Sequence, residues 1–313
     1  MTSLRSATIR LGTRRSALAL AQSKIVMDRL LAVGHNVEVV EVVTAGDEST
    51  EPVPSMGSTG VFVNELRRQL RERTIDIAVH SYKDLPTQRE SGITMAAVPR
   101  RADPRDALVA RGKLALAELP AGTRIGTGSP RRAAQLRALG LGLTVEPIRG
   151  NVDTRLKKVA DGEVDAVVVA AAGLQRLGRL DEASEILDPG QMLPAPAQGA
   201  LGIECRTGDT DLAVALAVAL NDRVARAAVT AERALLAALE AGCSAPVGGL
   251  ADVSVGDDGD DEIYLRGVVA AVDGSHAIRL SRTGPIAAAV ALGEHLAADL
   301  LQAGAADLIG NNQ

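Results

Sequence analysis

A lysine and an aspartate stand side by side in H-S-Y-K-D-L-P (80–86), directly after the short apolar run Ile75–Val79. At the C-terminal end of a strand, Lys83 would supply a cation and Asp84 a proton-transfer group. An ordinary turn carrying a surface ion pair fits the same residues. Two further segments suit anions. In G-T-G-S-P-R-R (126–132), Ser129 is placed to cap a helix whose first residue is Pro130, and Arg131 and Arg132 fall in its first turn. Arginine is unfavourable at the positive end of a helix dipole, so an external anion accounts for the pair. P-I-R-G-N-V-D-T-R (147–155) repeats the arrangement, with Arg149 at a strand end, Asn151 as cap and Arg155 one turn in. The fourth segment, E-A-G-C-S-A-P-V-G (240–248), sets Cys243 in a loop bounded by Gly and Pro. An accessible loop thiol can be a nucleophile or an attachment point; a small buried residue is the alternative.

Charge is unevenly spread around these segments. Residues 124–158 carry eight basic and two acidic side chains, a net +6, in a chain of 313 residues whose formal charge is −5. A general nucleic-acid binder needs a net basic face, so that class is disfavoured while a local anion site is not. The basic residues are 29 Arg and 5 Lys. Genomic base composition accounts for such a bias, and so do guanidinium forks that face carboxylates or phosphates. The two cysteines, Cys205 and Cys243, make neither a disulfide framework nor a zinc site, and no metal is expected. Cys205 ends an apolar strand and reads as an inert buried thiol. The acidic run Asp257–Glu262 lacks calcium-loop spacing and reads as a solvated hairpin tip. No apolar run reaches the roughly 18 residues of a membrane span, and the N-terminus lacks a signal-peptide core. The expectation is a cytoplasmic protein without membrane or nucleic-acid partners.

The elements that position these residues follow from periodicity. Strands are expected at Thr8–Gly12, Val37–Thr44, Ile75–Val79 and Ile93–Val98, with helices opening at Ser16 and over Asn64–Glu72. A second block begins near Asp106, with strands Arg124–Gly126, Thr144–Ile148 and Ala166–Ala170 separated by helices from Pro130 and over Val152–Ala160. This alternation predicts two α/β lobes with parallel sheets and crossover helices. Gly46–Gly60 reads as a lid or binding loop, and the Pro-rich Asp188–Ala197 as a connector before strand Ala200–Glu204. Ala/Leu helices then run from Asp209 to about Glu240. Strands Gly248–Val255, Ile263–Ala270 and Ala277–Arg282 with a helix over Pro285–Leu301 predict a small α+β domain. Phe62, Tyr82 and Tyr264 are the only aromatics, so the core must be aliphatic.

Read in order, the segments resemble the porphobilinogen deaminase (hydroxymethylbilane synthase) family. The resemblance lies in G-T-R-R-S-A-L-A-L-A-Q (12–22), H-S-Y-K-D-L-P (80–86), D-P-R-D-A (103–107), G-T-G-S-P-R-R (126–132) and R-G-N-V-D-T-R (149–155). It continues through A-A-G-L-Q-R-L-G (171–178), L-P-A-P-A-Q-G-A-L-G-I-E-C-R (193–206), T-A-E-R (230–233) and the Cys243 loop, so it covers nearly the whole chain. It implies an α/β fold with two periplasmic-binding-protein-like (type II) lobes around a cleft and a small α+β C-terminal domain. The expected boundaries are 1–99 with 200–217, 105–193, and 222–313. The implied reaction joins four porphobilinogen molecules head to tail, releases four ammonia and gives hydroxymethylbilane in tetrapyrrole (haem) biosynthesis. The implied cofactor is dipyrromethane, held by a thioether to Cys243 and used as a primer. A monomer is expected.

The resemblance also assigns roles. Asp84 and Lys83 are the implied catalytic residues, Asp84 stabilising the azafulvene cation left by ammonia loss. Cys243, Arg131, Arg132, Lys83, Ser81, Asp84, Thr127, Ser129, Arg149 and Gly150 are implied for the cofactor. Arg14, Ser16, Gln22, Phe62, Arg149, Arg155 and Arg176 are implied for substrate, Phe62 having core packing as its alternative. Because each pyrrole brings an acetate and a propionate, a growing chain needs several guanidinium forks. The sequence departs from the family pattern at Ser55 and Thr59, where lysines are common, at Gly128 for serine, and at Arg15 for glutamine. The competing expectation is a non-enzymatic two-lobed protein binding a small carboxylate or oxyanion.

Overall fold

The computed structural model describes residues 8–42, 58–240, 245–256 and 258–310, with backbone alone at 58–62 and 310. The strands are β1 (Thr8–Arg14), β2 (Asn36–Val42), β3 (Ile77–Ser81), β4 (Ile93–Ala97), β5 (Asp106–Ala110), β6 (Arg124–Thr127), β7 (Thr144–Pro147), β8 (Ala166–Ala170), β9 (Glu185–Ile186), β10 (Leu201–Arg206), β11 (Val247–Val255), β12 (Asp261–Ala270) and β13 (Ala277–Pro285). The helices are α1 (Ala17–Ala32), α2 (Ser58–Arg71), α3 (Pro130–Ala138), α4 (Val152–Ala160), α5 (Ala171–Arg176), α6 (Thr210–Leu220), α7 (Arg223–Ala238), α8 (Ala289–Gln302) and α9 (Ala305–Gly310). The chain divides into two compact units, Met1–Ala102 with Ala200–Arg226 and Asp103–Gly199 with Ala227–Gln313.

The first unit holds a five-stranded sheet ordered β2-β1-β3-β10-β4. In it β1 is parallel to β2 and β3, and β10 is antiparallel to β3 and β4. The second unit holds β7-β6-β8-β5-β9, with β6 parallel to β7 and β8, and β5 antiparallel to β8 and β9. The two orders coincide when β10 is matched with β5. Each α/β sheet thus has one reversed strand, next to an edge. This corrects the expectation of parallel sheets: β10 arrives after the chain's return and β5 opens its unit, so neither follows a crossover helix that would hold it parallel. Asp106–Ala110 was expected as the start of a block and not as a strand. Its five residues are all buried, and a strand covered on both faces shows no alternation.

The second unit also carries the antiparallel sheet β11-β12-β13. Leu235 of α7, Leu239 just past its end, and Leu296 and Leu300 of α8 pack with Leu265 and Val269 of β12, an aliphatic core as the scarcity of aromatics requires. Local signals fix the helix starts: Ser16 caps α1 by accepting from the Ala19 N–H (3.3 Å). Helix α2 begins at Ser58, so Ser58–Gly60 are helical and not loop; residues 43–57 lie outside the described chain. Strand β3 runs on through Ser81, and α8 starts at Ala289 after the single 3-10 turn Ile286–Ala288.

Candidate active site

β1 and β3 are parallel neighbours, so their C-terminal residues Arg14 and Ser81 reach the same edge of the sheet. There they line a cavity of about 200 Å³ with Ser16, Gln22, His80 and Asp84, closed on its apolar side by Val63 and Leu66 of α2. Gln22, on the inner face of α1, donates from Nε2 to Ser81 Oγ (2.7 Å). Asp84 ends the 3-10 turn Tyr82–Asp84 that follows β3, and Lys83 lies in the same turn, half-buried. The turn is held by the Tyr82 N–H on the Ala200 carbonyl (3.0 Å) and the Leu85 N–H on that of Tyr82 (3.2 Å). A carboxylate on a fixed turn beside a guanidinium and two hydroxyls can bind a small polar ring and exchange protons with it. Arg15 points elsewhere, into an exposed pair with Glu41 (3.4 Å).

Beneath this cavity is a buried ionic cluster. Glu204 of β10 accepts from Arg67 Nε at Oε2 (3.0 Å) and from Nη2 at Oε1 (2.7 Å), and the His80 Nε2 lies 3.2 Å from the same Oε2. Burial pushes the Glu204 carboxyl up, yet His80 and Arg67 outweigh it and hold the group down at about 2. Arg67 belongs to α2, so the cluster fastens the helix that supplies the apolar wall to β10, the strand beside β3 and its Tyr82–Asp84 turn.

The second unit gathers the arginines. Ser129 caps α3 by accepting from the Arg132 N–H (3.4 Å), and Asn151 caps α4 by accepting from the Thr154 N–H (2.9 Å). Thr127 Oγ1 accepts from the Ser129 N–H (3.2 Å). Arg131 and Arg132 are both buried, and both bond Asp106. The Asp106 carboxyl, raised by burial, is brought well below the ordinary range by these two guanidinia. Arg155 donates from Nε to the Gly150 carbonyl (2.9 Å), while burial and then the nearby Arg132 push its pKa down. Arg176 donates to the Gly199 carbonyl (2.6 Å), and burial lowers it to about 10. Arg149 and Gly150 lie in the exposed bend before α4, Gly150 at φ 110°. A Cβ at Gly128 would stand 2.6 Å from the Ile148 carbonyl oxygen, so this backbone leaves no room there for the family's serine.

The donors fit a polycarboxylate such as dipyrromethane. Arg131 and Arg132 share the single carboxylate of Asp106, Arg155 is near enough to Arg132 to feel its charge, and the Nε–H groups of Arg131 and Arg176 are buried without a hydrogen-bond partner among the described residues. Cys243 and Ser55 lie outside the described residues, and Phe62 and Thr59 are placed in α2 by backbone alone. Cys205 is fully buried and its thiol is pushed up to about 11, mainly by burial, as an inert thiol should be. Sequence reasoning missed His80, Arg67, Glu204, Asp106 and Gln198. The available signal was an acid inside an apolar strand, as in L-G-I-E-C and D-A-L-V-A, because a buried charge demands a partner.

Comparison with known proteins gives matches along nearly the whole chain. A family profile described as "Porphobilinogen deaminase, dipyromethane cofactor binding domain" matches residues 9–214, and one described as "Porphobilinogen deaminase, C-terminal domain" matches residues 226–302. Curated proteins named porphobilinogen deaminase from Mycobacterium bovis and Mycobacterium tuberculosis are 57% identical over 305 residues, covering 96% of this chain and 98% of theirs. The Mycobacterium leprae protein of that name is also 57% identical, covering 96% of each chain. Among solved structures, the L-cystine solute receptor of Neisseria gonorrhoeae aligns at 13% identity, 68% of this chain, 84% of its own and a TM-score of 0.41. The methionine binding protein MetQ aligns at 14%, 68%, 89% and 0.42. The sequence matches favour the transferase expectation over the binding-protein one.

Proposed function

Because this chain belongs to the porphobilinogen deaminase family, we propose that Asp84 is its catalytic acid/base, and that Arg131, Arg132, Arg155 and Arg176 hold the carboxylates of primer and growing chain. The activity is that of hydroxymethylbilane synthase: four porphobilinogen molecules are joined head to tail with loss of four ammonia, a transferase step of tetrapyrrole biosynthesis. The cofactor is dipyrromethane, which when bound supplies the free pyrrole α-carbon to which substrate is added. Cys243 is the residue that carries it, through a thioether.

What supports the role of Asp84 is its place in one cavity with Arg14, Ser16, Gln22 and Ser81. Its carboxylate accepts a hydrogen bond from a pyrrole N–H, offsets the positive charge that develops as ammonia leaves, and relays protons as the new carbon–carbon bond forms. Arg14 orients a substrate carboxylate with Ser16 and Gln22, and Phe62 packs on the ring. Lys83 and Ser81 assist at the turn, and Thr127, Ser129, Arg149 and Gly150 complete the primer's polar contacts. The protein works as a cytoplasmic monomer, divided as 1–99 with 200–217, 105–193 and 222–313.

Intact mass of the purified protein tests this reading. The wild type carries a dipyrrole adduct and Cys243→Ala does not. An adduct that survives in Cys243→Ala moves the attachment to another residue, and a wild type that stays unmodified after incubation with porphobilinogen removes the primer from the proposal.

A further inference from the structure

The arginine pair is held by a carboxylate that no ligand supplies. Asp106, fully buried at the first position of β5, accepts from Arg131 Nη2 (2.8 Å), Arg132 Nε (3.1 Å), Arg132 Nη2 (2.7 Å) and Gln198 Nε2 (2.8 Å). Gln198 belongs to the segment by which the chain leaves the second unit. The same amide donates to the carbonyl of Pro104 (2.8 Å), on the segment by which the chain arrives. Arg132 is used further, donating to Gln198 Oε1 (3.4 Å) and to the Val168 carbonyl (3.1 Å). Arg131 keeps a buried Nε–H without a hydrogen-bond partner among the described residues.

We infer that Asp106 and Gln198 are positioning residues for carboxylate binding by Arg131 and Arg132. Asp106 cancels one of the two charges, so the pair presents a ligand with one net positive charge. Gln198 fixes the carboxylate and the Arg132 fork in register where the chain enters and leaves the unit. This rests on the reading that the pair holds primer carboxylates. Its physical basis is that charges interact strongly in a buried, weakly screened site. Two uncompensated guanidinia, with Arg155 beside them, would grip a lengthening polyanion too firmly to let it go. Tighter binding of a bound intermediate, without matching stabilisation of the transition state, slows turnover.

The test uses holoenzyme of Asp106→Asn, Gln198→Met and Arg131→Leu, with intact mass after one equivalent of porphobilinogen and kcat and KM measured separately. Asp106→Asn should keep the adduct, shift the bound population toward the longest chains, and lower kcat about tenfold without raising KM. Gln198→Met keeps the charge and removes the tether. It should raise KM about three- to tenfold, the effect of one lost hydrogen bond, and lengthen no bound chain. A wild-type distribution of chains in Asp106→Asn, or a wild-type KM in Gln198→Met, overturns the inference. If Asp106→Asn does not fold, the KM of Gln198→Met decides alone. Full adduct in Arg131→Leu would overturn the underlying carboxylate reading instead, whatever the other two variants do.

Discussion

At the residue scale, the local signals proved readable and the distant ones did not. Ser16, Ser129 and Asn151 cap their helices as expected because capping is settled within three residues. The partner of Glu204 is Arg67, 137 residues away, and that of Asp106 is Arg131, 25 residues away, so no spacing rule could pair them. The burial of Arg131 and Arg132 shows the same limit: the sequence places them at an anion site and gives no hint of the protein's own anion there. Asp84→Asn preserves shape and removes the charge. Turnover measured at saturating porphobilinogen should fall by about 10²–10⁴, the usual contribution of a positioned acid/base. Near-normal turnover would reduce Asp84 to a turn residue. Arg155 and Arg176 have few internal partners, so Arg155→Leu and Arg176→Leu should keep the adduct and stall at partly elongated chains, seen by intact mass. Arg132→Leu should yield mostly unmodified protein, since it breaks both a ligand contact and the Asp106 cluster. The same chain-length distribution in all three variants would show that the arginines act as one diffuse field.

At the element scale, the decisive contact is the docking of α2 on β10 through Arg67 and Glu204. A carboxyl held from its ordinary 4.5 down to about 2 contributes on the order of 3 kcal/mol to stability. That contribution is complete above about pH 4.5 and is lost as pH falls toward 2. Glu204→Gln should therefore flatten the denaturant stability profile between pH 4.5 and 2. It should also cost about 3–5 kcal/mol at pH 7, because buried Arg67 loses both bonds to Glu204 and keeps only the longer ion pair with Glu90 (3.6 Å). An unchanged acid slope would mean that the pair is open in solution. Helix existence was legible here, yet the start of α2 was not: the Gly and Ser residues ahead of Asn64 read as loop, while tertiary docking of Val63, Leu66 and Arg67 carries the helix back to Ser58. Strand β5 was hidden for the opposite reason, since burial on both faces erased the alternation that marks a strand.

At the scale of the whole molecule, the motif order spoke for the family, while the strand order could be read only from the structure. Within the second unit, Glu232 of α7 is buried and accepts from the N–H of Ala197 (2.6 Å) and from that of Ala251 (2.8 Å). It joins the connector to the C-terminal sheet, and Ala197 holds a left-handed φ of 63° at that point. Glu232→Ala leaves both amides unpaired and should expose the 188–199 segment to limited proteolysis, with a stability loss of about 2–5 kcal/mol. A wild-type cleavage rate would show that the connector is held by other contacts. The shared strand order has a further consequence, in time. β5–β9 are contiguous from Asp106 to Ile186, so that sheet can close as soon as it has left the ribosome. The first sheet cannot: β3 and β4 are separated by a gap that only β10, Leu201–Arg206, fills. At about 5–20 residues per second, the earliest-made half of the enzyme waits several seconds with two open strand edges while the later-made sheet is completed. The N-terminal unit, first to be synthesised, is thus the later of the two α/β sheets to close, and it is the one that depends on protection during synthesis.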